Sequence, residues 1–107
     1  MGCEIIRHLC PITAKTILKG LPLKHSIHKL GGTLVYMETG LTIGAEKQRS
    51  RFRRGEMGFL TSNSSVCIFV KDSPAISSMN PIGMVRSNLE LVESIHTGDV
   101  MILRRIP

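Results

Sequence analysis

Apolar positions along this chain fall either in short runs or at helical spacing, and the two patterns predict different elements. Residues 3–9, CEIIRHL, form a short β-branched run that suits a strand. Beyond Pro11 the apolar side chains Ala14, Ile17, Leu18 and Leu21 recur at i, i+3, i+4 and i+7, the buried stripe of a helix. A proline is tolerated in the first helical turn because its missing N–H has no intrahelical partner there, and Gly20 with Pro22 stops the helix. Gly31 and Gly32 then sit between the apolar runs of SIHKLGGTLVYMETG and predict a hairpin.

Further on, RGEMGFL (54–60) and SSVCIFV (64–70) read as strands joined by the turn residues Thr61, Ser62 and Asn63. The second run is apolar on both faces, which places it at the centre of a sheet or in a covered barrel wall. Residues 71–81, with two prolines, predict a loop ahead of a strand at IGMVR (82–86). Ser87-Asn88-Leu89-Glu90 has the spacing of a capping box and predicts a short helix through about Ile95, stopped by Gly98. A last strand, DVMILRRI (99–106), carries Val100, Ile102 and Ile106 on one face. Strands outnumber the two helices and turns recur at short spacing. The expected fold is therefore mainly β, a small barrel or strongly curved sheet with two short helices.

Composition changes this picture little. The 107 residues suit one domain, 1–107, with one core, and 42% apolar against 21% charged residues is a globular balance. With one Tyr, three Phe and no Trp, aliphatic side chains and Met must fill that core. Cys3, Cys10 and Cys67 are odd in number and lack a C-x-x-C pair, so neither a disulfide framework nor a zinc ribbon is indicated. Glu4 and Arg7 interrupt the N-terminal apolar run, and position 6 is Ile where a myristoylation site needs Ser or Thr. No stretch reaches the roughly 18 apolar residues of a membrane span. A cytoplasmic protein without a membrane partner is expected.

The net charge of +6 is concentrated in KQRSRFRR, where Lys47, Arg49, Arg51, Arg53 and Arg54 are the candidate anion-binding residues. In an extended segment Lys47, Arg49, Arg51 and Arg53 would share one face by alternation and could follow phosphates. Phe52 is the only aromatic nearby, however, and the duplex-reading motifs are absent, so nucleic acid is not the favoured partner. A solvated edge that blocks edge-to-edge pairing is the expected role.

Several short motifs occur in a recognisable order: Pro11, Thr13 and Ala14 in a helix ending at Leu21-Pro22; Gly55-Glu56-Met57-Gly58-Phe59; Cys67-Ile68-Phe69-Val70; Ser73-Pro74; and Asn80-Pro81-Ile82-Gly83. Together they resemble the small prokaryotic cyclophilin-like proteins, a family of uncharacterised proteins whose fold is a minimised cyclophilin barrel. Departures from the family pattern fall at Phe59-Leu60-Thr61-Ser62 and at Lys71, on the barrel rim.

Full cyclophilins are prolyl isomerases, so the resemblance implies a test. Their F-H-R motif, which supplies an arginine to the prolyl nitrogen, is missing here. Phe69 matches a pocket phenylalanine, but Cys67 stands where the resemblance implies a glutamine. The expected function is therefore a module that binds a peptide or small molecule, with no catalytic residue and no cofactor; prolyl isomerisation, and polyanion binding through residues 47–54, are the alternatives. The candidate pocket is lined by Phe59, Phe69 and Met84, with Cys67 and Ser73 beside it. His25 and His28 with Cys3 or Cys10 match no known ligand spacing, and no metal site is expected.

Overall fold

The computed structural model describes residues 1–106, apart from the side chains of residues 73–77. Eight strands and two helices follow in the order β1 (Gly2–Ile5), α1 (Pro11–Gly20), β2 (Leu23–Leu30), β3 (Leu34–Glu38), β4 (Arg49–Phe52), β5 (Glu56–Leu60), β6 (Ser65–Phe69), β7 (Ser73–Ser87), α2 (Glu90–Glu93) and β8 (Val100–Leu103). The strands form one curled sheet ordered β1-β7-β5-β6-β3-β2-β8, with β4 paired to β7 off this path. This is the mainly β architecture with two short helices that the pattern predicts.

Strand β6 shows why the sheet can be buried on both sides. Val66 and Ile68 pack into one cluster with Val35, Met57, Phe59 and Ile17 of α1, while Cys67 and Phe69 pack into another with Leu34, Phe52 and Met79. The second cluster exists because β4 and part of β7 lie across the sheet. Phe52 and Met79 come so close there that a Cβ on Gly58 would sit 3.1 Å from Met79 Sδ and 3.2 Å from Phe52 Cζ. Gly83 is under a harder constraint. A Cβ at that position would meet the Glu4 carbonyl oxygen of β1 at 1.9 Å, so only glycine lets β1 pair with β7.

Two expectations need correction. The segment 71–81 is not simply a loop, because β7 begins at Ser73 and pairs in turn with β4, β5 and β1. Pro81 is accommodated beside a register shift between Met57 and Gly58, where a missing N–H costs no regular ladder bond. The capping box also does not form. The Ser87 hydroxyl accepts the Gly2 N–H at 3.0 Å, and Asn88 turns the chain with φ 59°. Helix α2 is consequently a single turn without a side-chain cap.

Helix α1 is capped from far away in sequence. The Glu46 carboxylate accepts the N–H groups of Ile12 (3.0 Å) and Thr13 (2.8 Å) and the Thr13 hydroxyl (2.7 Å), placing an anion at the positive end of the helix. The Glu46 N–H donates to Asn80 Oδ1 (2.9 Å), and Asn80 Nδ2 donates to Thr13 Oγ1 (3.0 Å) and to the Gly44 carbonyl (2.9 Å). Thr13 and Asn80 are fully buried with these groups satisfied. Burial alone raises the Glu46 pKa, but the hydrogen bonds from Thr13 and Ile12, aided by Lys47, outweigh it and hold the carboxyl below its ordinary value.

Candidate functional site

The aromatic pocket expected from the sequence is closed by the protein's own side chains. Phe59, Cys67 and Phe69 are buried, with Phe59 in one cluster and the other two in the cluster on the opposite face of the sheet. Phe52 stacks on Phe69 with ring centroids 4.7 Å apart and planes 3° from parallel. Met84 is half-buried on β7, and the Ser73 side chain lies outside the described residues. Burial pushes the Cys67 thiol up to about 12, leaving it an inert core residue at neutral pH.

Nor does the basic run form a single row. Its register shifts between Arg49 and Arg51, so alternation breaks inside β4. Arg49 is half-buried, its guanidinium over the Phe52 ring at 4.7 Å and paired with Glu56 at 2.6 Å. Arg54 pairs with Glu93. Lys47, Arg51 and Arg53 remain exposed and make no ion pair among the described residues. His25 and His28 are three positions apart on strand β2 and therefore face opposite sides. His28 stacks on Tyr36, with ring centroids 5.1 Å apart.

A concave surface lies elsewhere. Between β1, α1 and the chain after β8 lies a groove of about 300 Å³, with Ile5, Ile17, Leu18, Leu21, Met57 and Leu103 forming its apolar lining. Arg7, Arg104 and Arg105 stand around it. A neighbouring groove shares Arg7, Leu18 and Arg105 and adds Lys15 and Lys19. Arg7, Arg104 and Arg105 are exposed and make no ion pair among the described residues, whereas Glu4 is engaged by Arg86. An apolar lining with a few converging charges is the usual make-up of a small-ligand site.

Sequence reasoning missed these arginines because they lie at opposite ends of the chain. Arg7 follows β1 and Arg105 follows β8, and only the curl of the sheet brings them together. The one local signal was Arg104-Arg105 directly after an apolar strand.

A sequence profile described as the cyclophilin-like family matches residues 12–103. No curated protein matches the sequence. Among solved structures, the solution structure of a hypothetical protein from Archaeoglobus fulgidus superposes with a TM-score of 0.80 at 20% identity, covering 97% of this chain and 85% of that one. At that identity the likeness extends to the fold alone.

Proposed function

The chain belongs to the cyclophilin-like family, and from that premise we propose that it acts as a binding module that holds a peptide or small molecule, without prolyl isomerase chemistry. The observation that carries this reading is the groove between β1, α1 and the segment after β8, with its apolar lining and unpaired arginines. The pocket position inherited from full cyclophilins gives the enzyme reading little support. Phe69, the side chain similar to a pocket phenylalanine, is covered by Phe52, and Arg49, the guanidinium beside them, is engaged by Glu56. A fold hosts a reaction only where the reacting groups are placed for it.

Crystals soaked with acid-bearing aromatic and aliphatic fragments test the reading. Density is expected against Leu18 and Leu103, next to Arg7 or Arg105. Density only at other surfaces, or a proline-peptide isomerisation rate above the uncatalysed one, would overturn it.

A further inference from the structure

The continuous path β1-β7-β5-β6-β3-β2-β8 has seven strands, and every neighbouring pair is antiparallel. Its two end strands, β1 and β8, therefore run in the same direction. Curling brings both over one core, where Cys3 and Ile5 of β1 pack on the same cluster as Met101 and Leu103 of β8. Among the described residues no strand pairs with the outer edge of either. Each edge is a row of backbone donors and acceptors ready for a partner. A further strand antiparallel to both has the polarity to extend either ladder.

There is room along this seam. The groove of about 300 Å³ continues into a second of about 390 Å³, and the two share Cys3, Leu103, Arg104 and Ile106. Val100 and Ile102, on the face of β8 opposite Met101 and Leu103, are 56% and 55% exposed. Charge selects the occupant. Arg7, Arg104 and Arg105 are unpaired among the described residues, so a second copy docked seam to seam would bring like charges together.

We infer that the groove between β1 and β8 receives an extended acidic peptide as an added antiparallel strand. This rests on the groove being the binding site proposed above and names its ligand. Backbone bonds to either edge supply affinity, alternate apolar side chains enter the groove, and carboxylates meet the arginines.

The test uses the full chain with a short capped peptide of alternating valine and glutamate, the same peptide with lysine for glutamate, and the glutamate peptide N-methylated along its backbone. The glutamate peptide should bind by calorimetry and slow hydrogen exchange at the amides of β1 or β8. N-methylation should abolish binding. Lysine replacement, or Arg7→Gln with Arg105→Gln in the protein, should weaken it on the order of tenfold, as expected for losing charge-assisted bonds. Equal binding of the N-methylated peptide, or no protection of these amides, overturns strand addition while leaving a small-molecule groove intact. A concentration-dependent dimer that protects the same amides makes a second copy the occupant and overturns the inference. If neither fragments nor peptides reach the groove, the underlying reading fails with it.

Discussion

Phe52 of β4 lies flat on Phe69 of β6, with centroids 4.7 Å apart and planes within 3°. This one contact seals the second core cluster and also covers the aromatic side chain that the family resemblance implies for ligand binding. Phe52→Ala should therefore lose about 3 kcal/mol of stability, the usual cost of emptying a buried phenylalanine site. Denaturant unfolding would show this as a lowered midpoint with an unchanged slope. A loss below about 1 kcal/mol would mean that β4 contributes little to the fold.

The cations of residues 47–54 should separate into two groups. Lys47, Arg51 and Arg53 replaced together by Gln should reduce heparin retention while changing stability by no more than about 0.5 kcal/mol, because the three are exposed and unpaired among the described residues. Arg49→Gln should instead destabilise by roughly 1 kcal/mol, since it removes the Glu56 pair and the Phe52 contact. Equal effects on stability from both variants would contradict the engagement of Arg49 by Glu56 and Phe52.

Glu46 should make stability depend on acid. Because its folded pKa lies below the ordinary glutamate value, its contribution is complete above that ordinary value. It is lost as the pH falls through the lower folded value. Glu46→Gln should cost about 1–2 kcal/mol near neutral pH through the weakened cap, with the gap to the parent narrowing on acidification. Chemical unfolding across a pH series reads this directly, and a gap that widens in acid would contradict the placement of the carboxylate.

Cysteine labelling checks the core independently. All three cysteines are free thiols, with Cys10 and Cys67 buried and Cys3 half-buried. Desolvation raises Cys3 and Cys10, and Cys67 is pushed up to about 12. At pH near 8 a thiol reagent should spare Cys10 and Cys67 in the native protein and modify all three after unfolding. Rapid native modification of Cys67 would contradict a sheet covered on both faces.

The sequence made the elements legible and their meetings much less so. Helix α1 follows from Pro11, the Ile17 stripe and Gly20, and β6 reads as central because both its faces are apolar. The motif residues proved to be fold residues. Gly58 and Gly83 permit close approaches, Thr13 and Asn80 form the buried polar network, and Glu56 holds Arg49. Local pattern could not show that Glu46 caps a helix 33 residues before it, or that Gly2 takes the hydroxyl of Ser87. Alternation gives a face only while register is kept, and the register shifts within β4, where Arg49 is half-buried against Phe52 and Glu56. The groove was invisible because its two edges are the first and last strands.

The central claim is that ligands enter between β1 and β8 rather than at the aromatic cluster or the basic run. Backbone amide chemical-shift mapping with a small acid-bearing fragment library tests it most directly. The largest changes should fall on Cys3, Ile5, Leu18 and Leu103, and should fade in the protein carrying Arg7→Gln and Arg105→Gln. Changes confined to residues 47–54, or to Gly58 and Phe69, would contradict the account.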